Sequence, residues 1–148
     1  REESEAMDYF VDIKKNLLGS DSLSILAESG FDPTPERLRM RAEKHMSNPK
    51  TRAYALQRDG LCVGIIVLDT GDPARVEILD FAVKKNLQKQ GVGSTLIRYC
   101  INAFRPALRI AETDDDAVGF YRQVGFSIEP LGNKYGSGAN RYLCTMPV

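Results

Sequence analysis

The 148-residue sequence is poor in several of the features that mark common protein classes. It carries three cysteines, Cys62, Cys100 and Cys144, widely spaced in apolar surroundings and without a C-x-x-C pair. Zinc and thioredoxin-like chemistry therefore lack a ligand set, and no metal is expected. The thiols are expected to be buried and reduced, which fits a cytoplasmic protein. His45 is the single histidine. No partner residues for a metal site or a triad stand near it in sequence, so it reads as a structural or surface residue in the last turn of a helix. Neither sign of charge is in excess: 20 basic and 20 acidic side chains cancel. Overall charge thus favours neither nucleic acid nor a membrane surface as a partner. No apolar run approaches the roughly 20 residues of a membrane span, and no signal peptide is visible at the start.

What remains is an ordinary globular balance, 43% hydrophobic and 27% charged, in a length suited to one domain spanning residues 1–148. From the N-terminus, Ser4 is positioned to cap a helix running to about Leu18, stopped by Gly19. A short helical piece follows around Leu23 to Glu28, ending at Gly30. Thr34-Pro35-Glu36 opens a second helix with a capping hydroxyl, a proline at the first helical position and an acid in the first turn. The period then changes. Thr51 to Arg58 and Leu61 to Thr70 read as a hairpin about Asp59-Gly60, and Ala74 to Val83 as a third antiparallel strand. Gly64, inside the second strand, marks a bulge or a close backbone approach. A helix from about Gly91 to Phe104, a parallel strand from Leu108 to Glu112, a helix capped by Thr113 to Asp116, and two final strands complete a mixed α/β sheet. Gly132 to Asn140, with three glycines, reads as a mobile loop.

The stretch from Glu77 to Cys100 carries the chemistry. Strand, glycine turn and helix follow one another, which brings backbone N–H groups together at a helix N-terminus where an anion can sit. A dinucleotide fingerprint would need a third glycine where Leu96 stands, and the G-x-x-x-x-G-K-[ST] loop of nucleotide triphosphatases is absent. Lys84, Lys85, Lys89 and Arg98 flank the turn and suit a diphosphate ligand. Alone, the turn is equally a tight strand-to-helix connection.

Two motifs together resemble the GNAT-type N-acetyltransferase superfamily. Its coenzyme loop, [QR]-x-x-G-x-[GA], is matched by Gln88, Gly91 and Gly93. Its downstream segment, N-x-x-A-x-x-[FL]-Y-x-x-x-G-F, is matched from Asp114 to Phe126, with Asp114 in place of asparagine. The resemblance implies two central parallel strands that splay apart, an antiparallel meander before them, and helices on both faces. It implies acetyl-CoA as co-substrate. The backbone of Phe81, Ala82 and Val83 would pair with the pantetheine amides. Backbone groups of Gln88, Lys89, Gln90, Gly91, Val92, Gly93 and Ser94 would hold the pyrophosphate, with Asp114 and Phe120 also counted in the coenzyme site. Family members begin with a strand before the first helix. With a helix read from Ser4, that strand is expected to be truncated or missing.

The implied reaction moves an acetyl group to a primary amine of a small molecule or peptide, in a monomer or homodimer. A lysine-like amine costs about 4.6 kcal/mol to deprotonate at pH 7, so a base is needed. Glu77 is the candidate base, six residues before Val83; strict alternation places it on one face with Leu79, Phe81 and Val83, and Asp80 on the other. It also fits a surface carboxylate in a weak ion pair. Tyr121, at the family's tyrosine position, is the candidate acid for the departing thiolate, and also fits a core aromatic beside Ala117 and Val124. Asp114 to Asp116 read first as acids at a helix N-terminus. The alternative is a non-catalytic acyl-CoA-binding or regulatory domain. A nicotinamide enzyme ranks third, because the fingerprint fails at Leu96.

Overall fold

A computed structural model describes residues 8–28, 34–88, 90–136 and 138–147. Among the described residues, seven strands form one sheet in the order β1-β2-β3-β4-β5-β7-β6. They are β1 Asp8–Asp12, β2 Thr51–Arg58, β3 Leu61–Asp72, β4 Arg75–Val83, β5 Leu108–Asp114, β6 Ser127–Gly132 and β7 Arg141–Pro147. Four helices cover it: α1 Ser20–Leu26, α2 Pro35–Ser47, α3 Val92–Phe104 and α4 Val118–Gln123. Only β4 and β5 run parallel, as expected of a strand–helix–strand crossover through α3.

The hydrophobic core is split by the sheet. On one face Leu56, Ile66, Leu68 and Ile78 pack with Leu96, Ile97 and Cys100 of α3 and with Tyr121 of α4. On the other, Ala53, Ala55, Ile65, Val67 and Ala82 pack with Ile25 and Leu26 of α1 and with Leu38 and Ala42 of α2. This second face is called the α1/α2 face below.

Helix α2 starts as the sequence implies, with the Thr34 hydroxyl accepting from the Arg37 N–H at 3.2 Å and Pro35 at its first position. The hairpin turn also follows expectation: Asp59 and Gly60 both take positive φ, 54° and 83°, as a two-residue turn matched to strand twist requires. Gly64 is a close approach, since a Cβ there would lie 2.9 Å from Leu96 Cδ1 and 3.0 Å from Val92 Cγ1. The bulge sits one residue earlier, at Val63, skipped between Gln57↔Cys62 and Leu56↔Gly64.

The N-terminal segment corrects the expectation. Residues 8–12 form strand β1, paired antiparallel with β2, and Lys14–Asn16 forms a single 3-10 turn; Ser4 and Gly30 lie outside the described residues. Of the two expectations, a truncated or a missing first strand, the second is overturned: the strand is present. The apolar spacing was misleading because β1 is covered on both faces. Phe10 stacks on Tyr99 of α3 at 4.0 Å between ring centroids, while Val11 packs into the α1/α2 core. An apolar pair side by side in a two-sided strand imitates one turn of an amphipathic helix.

Candidate active site

The ladder between β4 and β5 is short. It runs from Arg75↔Leu108 to Ile78↔Ala111 and stops, while β4 continues to Val83 and β5 to Asp114. Beyond Ile78 the two strands separate. Phe81, Ala82 and Val83 remain paired with Ile66, Ile65 and Gly64 of β3 on one edge, which leaves their other edge facing the gap. That edge can accept an extended amide-bearing chain as an added strand would be accepted. The Val83 carbonyl takes a hydrogen bond from the Gln88 side chain at 3.2 Å.

At the wide end of the gap α3 begins. Gly91 sits at its N-cap with φ 83° and no side-chain cap, a left-handed conformation that favours glycine. The first intrahelical bond here is Thr95 N–H to the Gly91 carbonyl at 3.0 Å. The N–H groups of Val92, Gly93 and Ser94 thus point out of the helix end, where an anion is favoured. Gly93 is there for contact. A Cβ on it would lie 2.9 Å from Phe120 Cε1 and 3.0 Å from both Phe120 Cζ and Phe81 Cζ. The residues present therefore fit a coenzyme carrying amides and a diphosphate. Lys89 lies outside the described residues, and Gln90 is exposed.

The gap and α4 are joined by aromatic rings. Phe81 stacks on Phe120 at 5.1 Å and lies 6.3 Å from the Tyr121 ring, and Tyr121 meets Phe120 and Phe126 edge-on. Asp114 shapes the turn before α4: its Oδ1 accepts from the N–H of Asp116 at 3.0 Å and of Ala117 at 3.3 Å. Asparagine could fill that acceptor role, and the substitution keeps it. Tyr121 is 5% exposed, and its hydroxyl has no hydrogen-bond partner among the described residues. Burial, then the charges of Cys144 and Asp80, push its phenol well above the ordinary value, so it holds its proton at neutral pH.

The carboxylates are arranged differently from strict alternation. Val67 pairs with Asp80 but Leu68 pairs with Ile78, so Leu79 is an extra residue in β4. This β-bulge reverses the phase of the strand below it. Glu77, opposite Asp69, shares the α1/α2 face with Asp80 and not the face of Phe81 and Val83. It lines a polar groove of about 280 Å³ with Lys50, Asp69, Asp72 and Arg75. Asp80, 9% exposed, lies next to the end of the ladder. Its Oδ2 is 2.7 Å from His45 Nε2 and 3.1 Å from Arg41 Nε. On the far wall, Glu112 binds Lys134 Nζ at 2.8 Å and the Tyr135 hydroxyl at 2.7 Å, tying the β6–β7 loop to the gap. The His45–Asp80 and Glu112 contacts were invisible in the sequence because their members are 35, 22 and 23 residues apart.

A splayed parallel pair, with an open strand edge and an uncapped helix N-terminus at its mouth, is the architecture of an acyl-coenzyme A transferase. The pattern of the Acetyltransferase (GNAT) family matches residues 20–126, and the chain belongs to that family. Solved structures agree on the fold. The ribosomal-protein-S18-alanine N-acetyltransferase from Escherichia coli superposes with a TM-score of 0.77 at 16% identity, over 96% of this chain and 94% of that one. An aminoglycoside 6'-N-acetyltransferase complexed with coenzyme A gives 0.76 at 17%, over 95% and 96%. A GNAT family acetyltransferase from Elizabethkingia anophelis with acetyl-CoA bound gives 0.67 at 19%, over 95% and 98%. No curated protein matches by sequence. Among the described residues no helix is long and apolar enough to cross a membrane.

Proposed function

We propose that the protein is an N-acetyltransferase that moves the acetyl group of acetyl-CoA to a primary amine of a small molecule or peptide. The observation that carries this reading is the gap itself. The edge of Phe81 to Val83 that faces away from β3 lies along it, uncapped N–H groups of Val92 to Ser94 stand at its wide end, and a phenol without a partner among the described residues lies beside it. Two structures of the same fold are named for amine acceptors, a ribosomal-protein alanine and an aminoglycoside.

Acetyl-CoA supplies the thioester. Phe81 to Val83 hold and orient its amide arm, and the glycine turn from Gln88 to Ser94 holds its diphosphate, with Lys89 adding positive charge. Tyr121 donates its proton to the leaving sulfur, a role suited to a phenol that stays protonated at neutral pH. Glu77 takes the acceptor's proton through water. It stands one rung below the gap, about 7 Å along the strand from the first splayed residue by strand rise, too far for direct contact. The α1/α2 face and the Glu112-anchored loop select the acceptor.

The test is release of coenzyme A thiol from acetyl-CoA with a panel of primary amines, comparing the wild type with Tyr121→Phe. Turnover of at least one amine, much reduced in the variant, is expected. Tight coenzyme binding without thiol release for any amine would leave an acyl-CoA-binding domain in place of an enzyme.

A further inference from the structure

The one histidine of the chain is not isolated. His45 sits on the sheet side of α2, 8% exposed, with Nε2 at 2.7 Å from Asp80 Oδ2. Asp80 lies on this face by regular alternation from Phe81 and stands where β4 parts from β5. Arg41 Nε approaches the same carboxylate oxygen at 3.1 Å, and Arg41 Nη2 donates to the Leu26 carbonyl at 2.9 Å, so one ion cluster joins α1, α2 and the gap. With Arg41 Nε on the same oxygen, the Asp80 carboxylate accepts its hydrogen bond from Nε2–H. The lone pair is then on Nδ1. That nitrogen has no hydrogen-bond partner among the described residues, and the side chain keeps 9% of its surface exposed. A carboxylate that fixes the tautomer and steadies the imidazolium is the arrangement that makes a histidine a general base near neutral pH. The Asp80 charge also reaches the Tyr121 phenol across the sheet.

We propose that His45, oriented by Asp80, is the proton acceptor for the amine and replaces Glu77 in that role. The assignment rests on the N-acetyltransferase reading. The ammonium gives one proton to His45 Nδ1, directly or through one water, and His45 later returns it to solvent. The neutral nitrogen forms the C–N bond as the C–S bond breaks. The sulfur takes the Tyr121 proton, and the second proton lost by the nitrogen restores Tyr121. Ammonium and acetyl-CoA become acetamide, coenzyme A thiol and one solvent proton.

The test uses the full chain, acetyl-CoA, and primary amines each paired with a β-fluorinated analogue whose nitrogen is less basic. His45→Gln keeps a donor for Asp80 but no base. It is expected to bind coenzyme A and melt like the wild type, to lose about 100-fold in kcat, and to lose less with the fluorinated amines. His45→Ala should recover turnover with added imidazole and not with pyrazole, a ring of equal size and weak basicity. A His45→Gln kcat within about twofold of wild type, an equal loss for every amine, recovery by both rings, or failure of both variants to fold would each overturn the assignment and leave His45 as packing. Those results leave the transferase reading intact, whereas a wild type inactive with every amine removes both.

Discussion

Gly93→Ala isolates what the glycine turn contributes through contact. The added methyl carbon would lie 2.9 Å and 3.0 Å from two Phe120 ring atoms and 3.0 Å from Phe81 Cζ, against an optimal separation of about 3.5–4.0 Å. Each ring must retreat by roughly 0.5–1 Å by that comparison, and the two are stacked on each other, with Phe120 edge-on to Tyr121. Overpacking of this kind costs about 1–3 kcal/mol, and the better helix propensity of alanine returns up to about 1 kcal/mol. The net loss of about 1–2 kcal/mol corresponds to a fall in Tm of about 2–8 °C for a chain of this length. Gly91→Ala is the control. No atom lies within 4 Å of its Cβ, but φ is 83°, so it loses about 1–2 kcal/mol from backbone strain without moving the rings. Thermal unfolding should fall for both. Near-ultraviolet circular dichroism of the ring cluster and the kcat of acetyl transfer should change with Gly93→Ala. A Gly93→Ala protein that melts with the wild type, binds coenzyme A equally and keeps its aromatic spectrum would refute the argument from contact.

Tyr121→Phe should melt within about 1 kcal/mol of wild type, because the hydroxyl has no partner among the described residues to lose, while thiol release falls about 100-fold; a large stability loss would mark Tyr121 as structural. Burial pushes the Glu112 carboxyl up, but hydrogen bonds from Lys134 and Tyr135 and the charges of Lys134 and Arg141 outweigh it and leave it below 4.5. A depressed folded-state value means that stability is present in full above the unfolded pKa and is lost as pH falls through the folded one. The gap in urea midpoint between wild type and Glu112→Gln should therefore be open at neutral pH and close in acid, and a constant gap would contradict it. Burial raises the thiols of Cys100 to about 12 and Cys144 to about 11, and Cys62 is only half-buried. A thiol reagent should accordingly label Cys62 alone in the native protein and all three after denaturation, as read by mass spectrometry.

Local signals carried much of the architecture. Thr34-Pro35-Glu36, Asp59-Gly60 and Gly91 each encode a cap or a turn within a few residues, and each took the expected form. The cap expected from Thr113 to Asp116 did not: Thr113 and Asp114 end β5, and α4 starts later, with Ala117 as an N-cap that has no side-chain hydrogen bond. The order of strand, glycine turn and helix around Gly91 also followed expectation, because the three are contiguous in the chain. Elements whose identity depends on what covers them were harder to read. Residues 8–12 are a strand because β2 offers a free edge and helices lie over both faces, none of which is written in their own spacing.

The acceptor side shows where sequence ends and tertiary structure begins. By itself the sequence determined the family, the order of strand, turn and helix, and the presence of Tyr121 and the β4 carboxylates. It could not determine which way those carboxylates point, because one extra residue at Leu79 reverses a period-two strand and is visible only in its pairing with β3. Nor could it join His45 to Asp80 or Glu112 to Lys134. Those contacts depend on packing α2 and the β6–β7 loop against a sheet built from distant segments, and packing, unlike a turn, is a property of the whole chain.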